Sequence, residues 1–431
     1  MTGSPTGGRT PLWGLLLADS ISLTGNTLTM VAVPWFVLQT TGSAVQTGLA
    51  GAALVLPNLL SGFLTGPVVD RLGLRKASIV SDLASGATVA AIPMLHLSGA
   101  LTFETLLGLV FLGTFLDIPG ETARKALLPD VALLAGTSLE RTTSVREGAA
   151  RVAQMAAGPL AGFLIALIGP AQVLLVDAAT FGLSALLVWG LVPARKPVQG
   201  QAVGGYLSQL REGLRFIWDD RLIRAVLAMV MITNLLDYGV FAVLFPLYAD
   251  EVLGGPTALG LIIGAFGIGS VLGAVVYGAV GDRLPKRLTF LLAFLIGGSP
   301  RLFLLAAQPG LEVILPSYLV LGIATGAINP LLLVVAYQRI PAVIRGRAFG
   351  VTRAAAWGAM PLGTILAGYL ADAFGLRATV FVFASAYLLA SLSPAIGKVW
   401  LQMDDVGTRP DRSNRTGESG HSGSVPCPPD V

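Results

Sequence analysis

The chain has 431 residues, 54% of them apolar and only 12% charged, with a formal net charge of +4. Soluble domains carry about 25% charged residues because they must cover a surface in water, so this composition excludes an ordinary soluble protein. One cysteine, Cys427, and two widely separated histidines, His96 and His421, exclude an intrachain disulfide and a thiolate or histidine metal centre; no metal or cofactor is expected.

A helix crosses the hydrocarbon core of a bilayer with about 20 apolar residues. In chain order such stretches fall near 12–38, 44–69, 77–96, 103–122, 146–168, 172–192, 222–247, 257–280, 288–306, 312–335, 347–371 and 376–397. This predicts an all-α membrane protein with twelve transmembrane helices. The first stretch reads as an uncleaved helix, since Asp19 interrupts it and no small-residue cleavage site follows. With the N-terminus inside, the basic residues collect in the inner loops: Arg71, Arg75 and Lys76; Arg124, Lys125, Arg141 and Arg146; Arg195 through Arg221; Arg283, Lys286 and Arg287; Arg339, Arg345 and Arg347. Of the 28 Lys and Arg residues, only Arg301 and Arg377 fall in or near the outer half. That alternation is the positive-inside pattern. It puts both termini in the cytoplasm and accounts for the basic charge without a nucleic-acid partner.

The expected organisation is a six-helix half over 1–192, a cytoplasmic linker over 193–221, a second half over 222–400 and a tail over 401–431. In the linker, Tyr206, Leu210, Leu214 and Ile217 recur at helical spacing beside Arg211 and Arg215, which predicts a short interfacial helix. The tail is rich in Gly, Ser, Pro, Asp and Arg and is expected to be disordered.

The halves repeat. Gly66-Pro-Val-Val-Asp70-Arg71 follows the second span, and Gly278-Ala-Val-Gly-Asp282-Arg283 follows the eighth, 212 residues later. Arg151 through Pro159-Leu160 in span five matches Arg353 through Pro361-Leu362 in span eleven. Parallel repeats with a site at their interface are an architecture of alternating-access carriers. Gly66-Pro-Val-Val-Asp70-Arg71-Leu-Gly73-Leu-Arg75-Lys76 resembles the loop signature of the major facilitator superfamily, with Leu74 in place of a usual basic residue and a degenerate copy at 278–287. More narrowly, Val33-Pro34-Trp35, Thr41-Gly42-Ser43, Ala126-Leu-Leu-Pro129-Asp130 and Arg345-Gly346-Arg347-Ala-Phe-Gly350 resemble bacterial drug and metabolite exporters, including siderophore and macrolide efflux proteins. Gly158-Pro159-Leu-Ala-Gly162 partly matches an antiporter motif, with Gln154 and Ala161 where glycines are expected.

The resemblance implies the major facilitator fold, two six-helix pseudo-repeats, in a bacterial inner (plasma) membrane. It also implies that Asp70 holds the cytoplasmic gate through contacts with the other half. Gly73 permits the tight turn between two helices, and Arg71, Arg75 and Lys76 cluster beside it at headgroup level.

Polar groups inside the spans are the remaining candidates, because a carboxylate at helix centre costs about 3 kcal/mol. Asp237, midway along span seven, and Asn234 before it are candidates for proton binding or contact with a cationic substrate. A hydrogen bond to a neighbouring helix is the alternative. Asn26 stands where relatives often carry Asp; it cannot titrate but can bond substrate. Asp19 faces the cavity or pairs with a basic loop residue. Asp117 and Glu121 are expected to pair with Arg151 or Arg71 before contacting substrate. Asp82 is expected to snorkel to the interface, and Arg301 to snorkel outward or pair with Glu312. Pro159, Pro330 and Pro361 are candidate helix kinks.

The leading expectation is proton-coupled export of amphipathic drugs or secondary metabolites by a monomer. The alternatives are a proton-coupled importer of a small organic solute, or a non-transporting sensor or accessory protein on the same fold. An enzyme is not expected, since no metal-ligand cluster, serine nucleophile motif or phosphate-binding Gly-rich loop is present.

Overall fold

A computed structural model describes residues 8–194, 206–341 and 344–404, apart from the side chains of 61–64, 66–68, 70, 206–210 and 213. The described residues are helical, with no strand. The first half contains α1 (Thr10–Thr41), α2 (Ala44–Leu72), α3 (Leu74–Leu97), α4 (Phe103–Leu134), α5 (Leu139–Ile168) and α6 (Pro170–Leu191). α7 (Tyr206–Asp219) lies in the expected linker. The second half contains α8 (Arg221–Gly239), α9 (Phe245–Glu251), α10 (Pro256–Val280), α11 (Lys286–Gly297), α12 (Ser299–Ala306), α13 (Leu311–Thr325), α14 (Ile328–Arg339), α15 (Arg345–Gly358) and α16 (Met360–Ile396).

Among the described residues, ten helical stretches are long and apolar enough to cross a membrane. One of them, Arg345–Ile396, has 52 residues, roughly 78 Å at 1.5 Å per residue. That is more than twice the hydrocarbon thickness of about 30 Å. It breaks at Gly375, whose φ of 79° and ψ of 166° only glycine adopts readily, and so supplies two crossings. α2, with its apolar stretch Ala44–Leu60, supplies the twelfth. Large apolar side chains such as Leu83, Leu186, Val320 and Leu389 point out of the bundle, a surface suited to lipid and not to water.

Several spans are built from two helices. α8 passes into α9 through a π-helical turn, Val240–Leu244. Pro246 has no N–H to give the fourth residue back and its ring crowds that carbonyl; widening the turn ahead of it relieves both. Spans nine, ten and eleven break between α11 and α12, α13 and α14, and α15 and α16. Pro330 and Pro361 sit in the first turns of α14 and α16, where a missing N–H costs nothing. Pro159 lies inside an unbroken α5.

The bundle has two ends. Turns at Gly42, Gly99, Gly169, Gly254-Gly255 and Gly375 lie at one, and turns at Gly73 and Gly136 at the other. The two halves touch along two seams, α2 with α16 and α5 with α10, and both are tight toward the Gly42 end. A Cβ on Gly48 would lie 2.3 Å from the Thr364 carbonyl oxygen, and one on Gly162 would lie 2.5 Å from that of Pro256. Small residues let helices approach this closely in membranes. Toward the Gly73 end, a side chain added at Gly148 or Gly350 would meet nothing within 4 Å. The seams between the halves are therefore closed toward the Gly42 end, and these two positions toward the Gly73 end are open.

Asp372 locks the closed end. Its carboxylate accepts hydrogen bonds from Ser43 Oγ at 3.0 Å, Ala44 N at 2.9 Å and Val45 N at 3.1 Å. A side chain of one half thus caps the N-terminus of a helix in the other, where free N–H groups and the helix dipole favour a negative charge. Loss of a cap costs about 1 kcal/mol, roughly fivefold in the closed-to-open ratio. Asp372→Ala should therefore speed maleimide labelling of Thr47→Cys, a fully buried seam position, severalfold in a Cys427→Ser background. An unchanged rate would contradict the lock.

The duplication extends to atomic partners. Arg75 donates to the carbonyls of Val188 and Trp189 at the end of α6. Arg287, 212 positions later, donates to those of Pro394 and Ala395 near the end of α16, at 2.9 and 3.0 Å. Each arginine satisfies the last carbonyls of its own half's final helix. After α16, a 3-10 turn over Lys398–Met403 docks with Trp400 and Met403 buried. The rest of the expected tail, from residue 405, lies outside the described residues.

Candidate functional site

The second half encloses a cavity of about 230 Å³ lined by Asn234, Asp237, Tyr238, Phe241, Phe245, Ile263, Phe266, Arg301 and Met360. Its polar centre is an ion pair between Asp237 on α8 and Arg301 on α12. Arg301 was expected to snorkel outward or meet Glu312. It instead turns inward, on a helix that starts anew after the break at Gly298. A Cβ on Gly298 would lie 2.0 Å from the Tyr387 ring, so glycine also admits that tyrosine to the site. The guanidinium lies 4.8 Å over the Phe266 ring and 5.7 Å from the Tyr387 centroid. Tyr387 donates its hydroxyl to Asp237 at 3.4 Å, and Tyr318 donates to the Arg301 carbonyl at 3.1 Å.

The pair is presented asymmetrically. The Arg301 side chain is 7% exposed and that of Asp237 is 37% exposed. A molecule entering the cavity meets a carboxylate edge and aromatic faces, with the guanidinium held behind them. Cations are attracted by both carboxylates and ring faces. Asn234 lines the same space and donates to the Ala356 carbonyl of α15 at 3.1 Å.

The first half contains a second polar centre, built around Arg124 of α4. Arg124 is 1% exposed. It lies 2.5 Å from Asp82, 3.4 Å from Asp19 and 3.7 Å from Asp117, and donates to Ser22 at 3.1 Å. Arg146 of α5 binds Asp19 at 2.9 Å. Asn26 donates to Asp117 at 2.7 Å, and Ser184 to Asp82 at 2.8 Å.

Three sequence expectations are corrected here. Asp82 is fully buried and held by Arg124 and Ser184, so it does not snorkel. Asp117 pairs with Arg124, and neither Arg151 nor Arg71. Arg124 is not a loop residue: α4 runs three turns beyond the expected end because its charge is matched inside the bundle. Glu121 pairs on the surface with Lys125. Asp19, Asn26 and Asp117 are thus brought together around Arg124, apart from Asp237 and Asn234. Among the described residues, no group of His, Cys, Asp and Glu side chains could hold a metal ion.

The profile of the Major Facilitator Superfamily matches residues 15–248 and 227–426. The chain belongs to the major facilitator superfamily. Within it, the multidrug efflux pump Tap of Mycolicibacterium fortuitum is 36% identical over 386 residues, 88% of this chain and 94% of that protein. Tap of Mycobacterium tuberculosis H37Rv is 34% identical over 87% of this chain and 90% of its own length. Among solved structures, the nucleoside transporter NupG superposes with a TM-score of 0.74 at 14% identity, over 89% of this chain and 98% of that one, which shows the fold.

The superfamily's loop signature sits at the Gly73 end. Gly73 takes a φ of 77° between α2 and α3, as the turn requires. Arg71 and Lys76 are exposed. Gly66 and Asp70 are in helical backbone, but their side chains lie outside the described residues. The degenerate copy forms a short 3-10 turn, Gly281–Arg283, with Asp282 and Arg283 exposed.

Proposed function

We propose that this superfamily member exports amphipathic organic cations, drugs or secondary metabolites, from a bacterium across its plasma membrane in exchange for protons. The observation that carries the reading is the half-exposed Asp237 carboxylate set among Phe241, Phe245, Phe266 and Tyr238, with its counter-ion Arg301 buried behind it. A cavity of about 230 Å³ is smaller than the roughly 300–1,000 Å³ of sites that enclose a whole drug-sized ligand. It fits the cationic end of an amphiphile, whose remainder lies between the halves. The similarity to pumps named for multidrug efflux supports export.

In this reading the basic Gly73 end is cytoplasmic, both termini lie there, and the halves, tight at the Gly42 end, part toward the cytoplasm. The halves, 1–192 and 222–400, rock about the α2–α16 and α5–α10 seams. Asp372 holds the outer end closed in this state, and Asp70 closes the inner end in the other.

The test uses inside-out membrane vesicles from cells expressing the full chain, with a fluorescent amphipathic cation such as ethidium outside and an acidified lumen. Uptake should follow the pH gradient, stop with nigericin and survive valinomycin. Uptake indifferent to nigericin would exclude proton exchange.

A further inference from the structure

Asp177 of α6 stands apart from both ion-paired centres. It is 1% exposed. Its Oδ2 accepts a hydrogen bond from Thr29 Oγ1 of α1, and its Oδ1 accepts one from Thr180 Oγ1 at 3.1 Å. These hydroxyls are its hydrogen-bonding side chains among the described residues. No cation faces it.

The helices packed on α6 are α1, α3 and α5, and their charged groups are either engaged elsewhere or exposed. Asp19 is bound by Arg124 and Arg146, and Asp82 by Arg124. Arg75 binds carbonyls of α6, and His96 packs edge-on against Phe36. Lys76, Glu140, Arg141, Glu147 and Arg151 are exposed. An ionised carboxylate without a counter-ion is costly in such a place.

The carboxyl group is nevertheless seated with care. A Cβ on Gly25 would lie 2.1 Å from Asp177 Oδ1 and 2.1 Å from Thr180 Oγ1. Gly25 therefore opens a notch in α1 that Asp177 fills. Thr29 has a second acceptor available. Its neighbours Thr24 and Thr27 donate to carbonyls four residues back, Ser20 and Leu23, at 2.8 and 2.9 Å. The equivalent acceptor for Thr29 is the Gly25 carbonyl. Thr29 is half-buried, and Met30 beside it closes against Phe241, Leu259 and Ile263 of the other half, leaving no room for water between them.

We propose that Asp177 is a proton-binding site of the transport cycle, loaded and emptied past Thr29 as the halves move apart beside it. As a carboxylate it accepts from Thr29 and Thr180. On taking a proton from hydronium, which leaves as water, it forms an O–H that donates to Thr29 Oγ1, and the Thr29 hydrogen turns to the Gly25 carbonyl. On release the hydroxyl returns and the proton leaves as hydronium. The substrate cation then has its own carboxylate, Asp237, in the other half.

This inference rests on the proton-exchange reading. The test uses the full-length protein in liposomes with tetraphenylphosphonium as the probe. Asp177→Asn keeps the shape and the hydroxyl partners. It should bind the probe within twofold of the parent and lose at least tenfold in accumulation driven by a pH gradient. Thr29→Val should slow that accumulation without weakening probe binding. Infrared difference spectra of the parent across pH should contain a carboxyl C=O band that Asp177→Asn removes. Gradient-driven accumulation by Asp177→Asn at the parent's rate, or a band that survives the substitution, would overturn the site. A parent that accumulates nothing under a pH gradient would instead overturn proton exchange itself, and the site with it.

Discussion

Arg301→Met should cost the protein both stability and transport, and adding Asp237→Asn should restore only the first. Breaking a buried ion pair by removing one partner costs about 3–5 kcal/mol, because a charge is left without compensation. Asp237 is half-exposed to the cavity, so the low end of that range applies to Arg301→Met. Asp237→Asn alone should cost less, since Arg301 keeps the faces of Phe266 and Tyr387, worth about 2 kcal/mol when desolvated. Replacing both partners removes both charges and should return the thermal midpoint close to that of the parent. Transport of a cationic amphiphile should stay at least tenfold down in all three variants, because none presents a paired carboxylate to the cavity. Thermal unfolding in detergent checks the first part and vesicle uptake the second. A double variant less stable than either single one, or one that transports normally, would contradict this account of the pair.

The second large effect concerns folding. Asp19, Asp82 and Asp117 meet two guanidinium groups, those of Arg124 and Arg146. Arg124→Met leaves three buried carboxylates against one cation. A penalty of about 3–5 kcal/mol is a large part of the roughly 5–15 kcal/mol that holds a typical domain together. The variant should give little or no monodisperse protein after detergent extraction. Arg124→Lys should fall between, because a single ammonium cannot reproduce the planar fork that reaches several acceptors at once. Asp82→Asn balances two acids against two bases and keeps an acceptor for Arg124, so its monodisperse yield should stay near the parent's. Fluorescence-detected size-exclusion chromatography ranks the three. An Asp82→Asn yield as poor as that of Arg124→Met would show that packing, and not charge balance, governs the centre.

The fold was legible because lipid imposes long apolar runs and the basic loops alternate. Helix breaks near Gly326 through Pro330 and Gly358 through Pro361 were also legible, since glycine and proline mark them chemically. The π-helical turn was not, although Pro246 carried its signal. The site was legible only in parts. Asp237 stood out as an acid at mid-span, but its partner is 64 residues away and is turned inward by a break at Gly298 that hydropathy does not register. Arg124 looked like a loop anchor because basic residues at span ends usually are. The three carboxylates that neutralise it come from α1, α3 and α4, and no spacing rule joins them. Asp82 does not snorkel because α3 buries that face against α4 and α6, a pairing that its own span does not reveal. Asp177 carries the same signal as Asp237, an acid well inside an apolar span.

The most direct measurement is proton movement triggered by substrate in liposomes that contain the purified chain, a preset pH gradient and an internal pH dye. Tetraphenylphosphonium added to the parent protein should dissipate the gradient, and Asp237→Asn, shown to be folded, should leave it intact. A gradient that folded parent protein does not discharge, or one that Asp237→Asn discharges equally well, would contradict export of a cation through the Asp237 cavity in exchange for protons.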